Sequence, residues 1–300
     1  MDNYMDLRTV MDTIKNKEQR PKRINPARCG YIKHEKNYLK HWTWLAAVYV
    51  NSPDKYNATS LQFCSGTLIC GQWVITAASC FYHTYQNNGT EEFKRTTEAM
   101  FVVLGEKDLM HENRNQMNFY AEGVFIHPDF RAPDGLEHNL ALVKLNAPAP
   151  PKRFRPVCLP PAERPILLHL ELNINVSIAG WGLPPPFDNE REVTGGTVRF
   201  RSSNISVALE TEDRCRMHDE QQPMSGSIFC AGGLGMQTCI GDLGSPIVAV
   251  DPFTNIHHLI GVLTRRSKCQ QGINQYTELT RHLKWISDTI DNCHSIHANI

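Results

Sequence analysis

Net charge is what this sequence most plainly lacks: its 31 Lys and Arg are matched by 31 Asp and Glu. A chain with no charge excess is not steered as a whole toward nucleic acid or an acidic membrane. Long apolar runs are missing as well. The best, Trp44 to Val50, falls far short of the ~20 residues that a membrane-spanning helix needs. Residues 1–28 are polar and charged and hold no apolar segment of the signal-peptide kind. Helical periodicity is scarce, and no internal repeat occurs. The 13 histidines include the pair His257-His258, but neither a C-x-x-C nor an HExxH spacing accompanies them. They read as surface or core side chains, so no metal and no cofactor is expected. No nucleic-acid partner and no membrane span is expected either.

What is present begins with cysteine. Ten cysteines point to an oxidising compartment. N-x-S/T sequons at Asn57, Asn88, Asn175 and Asn204 point the same way and mark those asparagines as glycosylation candidates. Secretion is therefore the expectation, with a leader missing from this sequence. Residues 1–28 read as a mobile leader. From Trp42 onward, short β-branched or apolar runs alternate with turn-rich spacers: Leu45–Val50, Gly66–Ile69, Trp73–Ala77, Phe101–Leu104, Gly123–Ile126, Leu140–Leu145, Asn175–Ala179, Gly196–Phe200, Ile247–Val250 and Leu259–Leu263. Many short strands at such spacing read as an all-β barrel or sandwich. One helix is expected near Glu278 to Ile290, with Leu279, Leu283, Trp285, Ile286 and Ile290 on its apolar face. The long polar stretch Phe81–Ala99 reads as an exposed loop. Prolines 148, 150, 151, 156, 160 and 161 form a bridge at mid-chain, and two β-domains joined there fit a chain of 300 residues.

Several segments carry a family resemblance. Cys64-Ser-Gly-Thr-Leu-Ile, followed by Trp73-Val-Ile-Thr-Ala-Ala-Ser-Cys80, is similar to the segment around the catalytic histidine of the trypsin/chymotrypsin serine proteases. Asn139-Leu-Ala-Leu-Val-Lys-Leu145 resembles the segment around the catalytic aspartate. Cys239-Ile-Gly-Asp-Leu-Gly-Ser-Pro246 resembles the nucleophile segment. Arg155-Pro-Val-Cys-Leu-Pro160, Ala179-Gly-Trp-Gly182 and Phe229-Cys-Ala-Gly-Gly233 are further signposts. The resemblance runs from Trp42 to Asn292. It implies an all-β fold of two packed six-stranded antiparallel β-barrels with a C-terminal α-helix. It places a leader at 1–41 tethered through Cys29, a trypsin-like domain at 42–293 with its junction near 146–165, and a tail at 294–300.

The departures from that family decide the functional expectation. Its chemistry needs a serine oxygen, an imidazole to take its proton, and a carboxylate to orient the imidazole. Ser79 stands where the histidine belongs, Asn139 where the aspartate belongs, and Leu243 where the nucleophile belongs. His83 and Ser245 are the nearest substitutes in sequence, and neither offset points into the same cleft position. The pocket-equivalent positions Gln237, Thr264, Arg265, Arg266 and Asn274 supply no acid at the floor, and bulk where the family keeps glycine. Arg265, Arg266 and Lys268 read as a solvated loop or as a basic patch for an acidic partner. In the oxyanion region Gly241 and Asp242 are retained. The Ile-Val-Gly-Gly activation segment is replaced by Cys29-Gly-Tyr-Ile-Lys-His-Glu35, so Asp242 is expected to find a donor other than a chain-start amine at Ile32. Glu106 falls where some family members hold calcium, but Gln116 falls near the place of the second carboxylate, so no calcium is expected.

The resemblance also implies disulfides Cys29–Cys158, Cys64–Cys80, Cys215–Cys230, Cys239–Cys269 and, for the remaining pair, Cys70–Cys293. The Cys29 segment resembles the arthropod clip-domain serine protease homologues, although residues 1–28 contain none of the six further cysteines of a clip. The expected function is that of a secreted, glycosylated pseudoprotease: a regulatory cofactor, decoy or binding scaffold in an extracellular proteolytic cascade, its partner a protease, a zymogen or another extracellular protein. Two alternatives stand beside it, an active serine-type endopeptidase using displaced residues and an extracellular binding protein unrelated to a cascade.

Overall fold

The computed structural model describes residues 25–26, 28–32, 42–51, 61–87, 90–95, 100–106, 114–132, 137–161, 176–181, 201–205, 208–210, 227–232, 243–251, 253–265, 273–290 and 293. The first half of the chain supplies β1 (Leu45–Asn51), β2 (Leu61–Cys70), β3 (Trp73–Thr76), β4 (Tyr82–Asn87), β5 (Thr90–Arg95), β6 (Met100–Leu104), β7 (Met117–Ile126) and β8 (Ala141–Leu145). Six of these close into an antiparallel barrel in the order β1-β2-β3-β8-β7-β6. Closure leaves the barrel without free edges. The barrel interior explains the apolar runs: Val48, Leu68, Val74, Val102, Leu104, Leu142 and Leu145 are fully buried. Removing each such side chain from water contributes roughly 1.5–3 kcal/mol.

The second half supplies β9 (Val176–Gly180), β10 (Arg201–Ile205), β11 (Ala208–Glu210), β12 (Ile228–Gly232), β13 (Pro246–Val250), β14 (His257–Arg265) and β15 (Ile273–Glu278). They form one antiparallel sheet in the order β10-β9-β13-β14-β15-β12-β11. Only residues 206 and 207 separate β10 from β11, which lie at opposite ends of that order. A link that short spans about 10 Å, so the sheet must curl until its two edges nearly meet. Counted as one interrupted strand, β10 and β11 make this a six-strand unit as well, curled but not laddered shut among the described residues.

The proline-rich bridge is held by both halves. The Val157 amide donates to Leu68 of β2 at 3.0 Å, and Cys158 exchanges backbone bonds with His257 and Leu259 of β14. Val248, Leu259 and Val262 join the barrel residues in one buried cluster. The leader segment, expected to be mobile, is docked where it is described. Asn25 closes a two-bond clasp on Leu159, with Nδ2 donating to its carbonyl at 2.9 Å and Oδ1 accepting its amide at 2.7 Å. Gly30 bonds both Pro156 and His257.

Two expectations are corrected. The helix is shorter than its periodicity predicts. Residues to Glu278 complete β15, a 3₁₀ turn follows at Thr280–His282, and α1 runs only over Leu283–Thr289. Ladder pairing of Glu278 with Gly261 outcompetes the helical pattern there. The stretch after Phe81 is not an open loop: β4 and β5 pair as a hairpin in a two-stranded sheet, joined across Asn88-Gly89, the dipeptide that best suits a two-residue hairpin turn. The run Gly196–Phe200 lies outside the described residues.

Candidate functional site

The 3₁₀ turn Ala78–Phe81 places Ser79 directly after β3. Ala78, Cys80 and Phe81 are buried and anchor the turn, leaving Ser79 half-exposed. Cys80 is bonded to Cys64 of β2, which ties the turn to the barrel wall. Asn139 enters from the other side, just ahead of β8, with its side chain 2% exposed. The two residues, 60 positions apart, clasp one another. The Ser79 amide donates to Asn139 Oδ1 at 2.8 Å, and Asn139 Nδ2 donates back to Ser79 Oγ at 3.0 Å. A backbone N–H can only donate, so the oxygen of the side-chain amide must face it, and the orientation of Asn139 follows. Nδ2 also reaches the Thr264 carbonyl of β14 at 3.5 Å.

Leu243 approaches the same corner. Its carbonyl accepts the Ser65 amide of β2 at 2.8 Å, and its half-buried side chain packs against the core cluster. Gly244 follows with φ +85°. A side chain there would run into the Ser65 carbonyl and Thr76 Oγ1, and would lie 3.2 Å from the Ala77 amide. The Leu243–Gly244 turn is thus pressed against β2 and the end of β3, close to the turn that carries Ser79. Ser79 and Asn139 meet directly, Leu243 is bonded to the neighbouring strand β2, and none of the three has an ionisable side chain.

Of the residues expected from the sequence at the pocket, Thr264 is buried and Asn274 of β15 is buried opposite Ala231. Arg265 pairs with Gln275 along the β14–β15 ladder. Gln237, Gly241, Asp242, Arg266 and Lys268 lie outside the described residues. Among the sequence's possible substitutes, His83 stands opposite Lys94 in the β4–β5 hairpin. Ser245 is 4% exposed. Glu106 is buried and Gln116 half-buried, and residues 107–113 between them are outside the described set.

Disulfides join Cys29 to Cys158, Cys64 to Cys80 and Cys70 to Cys293. Cys230 is also disulfide-bonded. Cys215, Cys239 and Cys269 lie outside the described residues, as do Asn57, Asn88 and Asn175. Asn204 sits in β10 opposite Ser177.

One group of residues escaped the sequence reading. His138, the neighbour of Asn139, meets His127 and His282 in a cluster. Burial there pushes His127 down to about 4, with the nearby His282 and His138 adding to the effect. Burial lowers His282 too, against the opposing pull of its bond to the Glu278 backbone. The three are 11 and 144 positions apart, so no local spacing could have announced them.

Comparison with known proteins gives this corner its context. The Trypsin family model matches residues 31–286. The chain is 31% identical over 241 residues to vitamin K-dependent protein C of Oryctolagus cuniculus, an alignment covering 76% of the chain and 46% of that relative. It is 24% identical over 262 residues to the clotting factor G beta subunit of Tachypleus tridentatus, covering 82% of the chain and 75% of that relative. The chain thus spans about half the length of the first of these and three quarters of the second. With a closed six-strand antiparallel barrel, a second curled sheet, a C-terminal helix and a family match over most of its length, this chain belongs to the trypsin family.

Proposed function

We propose that this chain is a secreted trypsin-family protein that binds and does not cut, serving as a cofactor, decoy or scaffold in an extracellular proteolytic cascade. The observation that carries the reading is the Ser79–Asn139 clasp. Two neutral side chains satisfy each other where the family chemistry requires an imidazole and a carboxylate. No proton acceptor of useful basicity is left at that position. Leu243, at the position of the nucleophile, has no lone pair to attack a carbonyl. In a well-studied serine protease, loss of the nucleophile or the base alone removes on the order of 10⁶ in kcat. Ser245 is too buried to stand in.

The cross-links support the secreted compartment. Disulfides spanning 129 and 223 residues persist where the surroundings are oxidising. No helix among the described residues is long and apolar enough to cross a membrane. The domain is taken as 42–293, with the leader tethered through Cys29. A cascade role draws support from the relative whose name makes it a clotting-factor subunit.

Two assays separate the readings. An active-site phosphonate should leave the intact mass of the purified protein unchanged, and a stoichiometric covalent adduct would contradict the proposal. Saturable binding to an extracellular protease or its zymogen is the expected partner result. Absence of such binding, with no adduct, would move the protein out of a cascade.

A further inference from the structure

We propose that His127, His138 and His282 form a binding site for a divalent transition-metal ion, zinc being the best match, which fastens the C-terminal helix to the barrel beside Asn139. One ring nitrogen from each histidine lies within 4.8 Å of the other two. At Zn–N distances of ~2.0–2.1 Å, tetrahedral geometry sets two nitrogens about 3.4 Å apart. His138 Nδ1 and His282 Nε2 already lie 3.0 Å apart. Opening that pair slightly and drawing His127 inward needs side-chain rotation, not a new backbone.

The backbone prepares each ligand. His127 follows β7, and its amide donates to Leu140 at 3.0 Å, which pins the end of that strand to the segment carrying His138. His138 itself has φ +55°, a left-handed conformation that costs a residue with a Cβ and marks a position held by its surroundings. His282 ends the 3₁₀ turn that leads into α1.

One ring, that of His282, has the hydrogen-bonded outer oxygen usual for a histidine ligand, and the other two have a carboxylate nearby. His282 Nδ1 donates to the Glu278 carbonyl at 2.6 Å, which leaves Nε2 with a lone pair aimed at the cluster. In this structure His138 Nδ1 donates to His282 Nε2; metal binding at Nδ1 moves that proton to Nε2, which lies 4.0 Å from the Glu137 carboxylate. His127 Nδ1 lies 3.9 Å from the Asp129 carboxylate and accepts the Asp129 amide at 3.2 Å. Binding through His127 Nε2 moves the proton to Nδ1 and turns the ring from that amide toward the carboxylate. Imidazole donors suit zinc, copper and nickel far better than calcium or magnesium. His127 and His282 are buried while His138 is half-exposed, so an ion enters from the His138 side, where water completes its coordination.

The test uses the untagged full chain, stripped with a chelator and titrated with Zn²⁺ alone, then with Co²⁺ as a spectroscopic probe. The expected result is one high-affinity equivalent per chain, a thermal midpoint raised by Zn²⁺, and visible Co²⁺ bands of tetrahedral intensity that Zn²⁺ erases. His138→Asn and His127→Gln should each lower affinity by more than the roughly 10–100-fold that loss of an outer partner costs. Unchanged binding in both variants would overturn the proposal and move the ion to another histidine group, such as His257-His258 or the tail pair His294 and His297. Should a variant fail to fold, the unaltered chain still decides: no Co²⁺ bands and no Zn²⁺-dependent midpoint shift would overturn the site.

Discussion

At the scale of single residues, the side chain of Asn139 does several things at once. It accepts the Ser79 amide, donates to the Ser79 hydroxyl and reaches the Thr264 carbonyl, so it links the turn after β3 to β14 across the two halves of the molecule. Truncating it strands buried polar groups, a loss that typically costs about 1–3 kcal/mol. Asn139→Ala is therefore expected to lower stability by that amount in a denaturant titration, while Ser79→Ala, which keeps the backbone amide bond, should cost less. No loss in either variant would mean that the clasp contributes nothing, and equal losses would place its contribution in the Ser79 hydroxyl bond and not in the amide bond. The expectation that Ser79, Asn139 and Leu243 stand at the triad positions leans on flanking segments such as Trp73–Cys80 and Asn139–Leu145. That two of them hydrogen-bond to each other was not legible in the sequence, since the contact joins positions 60 apart and depends on how β3 and β8 pair. The histidine cluster was invisible for the same reason.

Elements show where local pattern and tertiary pairing compete. The turn Leu243–Gly244 fits against β2 only because position 244 adopts φ +85° and carries no side chain. Gly244→Ala is expected to destabilise the protein by about 2–4 kcal/mol, combining left-handed strain with collision against backbone that cannot yield. A stable, fully folded Gly244→Ala protein by circular dichroism and urea melt would contradict this packing. The strand runs were legible from their apolar and β-branched stretches, and most observed strands overlap them. Their ends were not, because ladder partners set the ends: β7 begins at Met117, six residues before the run that announced it, where Leu104 of β6 is available to pair. The hairpin β4–β5 was missed although Asn88-Gly89 signals one, since its polar composition reads as a loop. The helix was placed too early because Leu279 continues the apolar face of α1 while belonging to the turn that ends β15.

At the scale of the whole molecule, cross-links and a shared core hold the two sheets as one unit. Cys70–Cys293 closes a loop of 223 residues and ties the chain after α1 back to β2. Removing a native bridge of this kind typically costs ~2–5 kcal/mol. The double variant Cys70→Ala/Cys293→Ala should thus melt several degrees below the parent by calorimetry, and an unchanged midpoint would show that packing of Leu283, Ile286 and Ile290 suffices to hold the helix. Pairings between cysteines this distant became legible only through resemblance to a family. The curling of the second sheet, with one strand broken into β10 and β11, is a matter of three-dimensional closure that no run of residues encodes on its face. The chain has a trypsin-family scaffold, and the proposal is that the Ser79–Asn139 clasp stands where the family keeps its reactive groups. The most direct test of that proposal is turnover of a broad peptide-substrate library by the disulfide-intact protein, before and after limited trypsin treatment, alongside the Ser79→His, Asn139→Asp, Leu243→Ser triple variant. The account predicts no turnover by the native chain in either state and little by the variant, whose pocket and activation segment remain unsuited. Turnover that co-purifies with the native chain would contradict it.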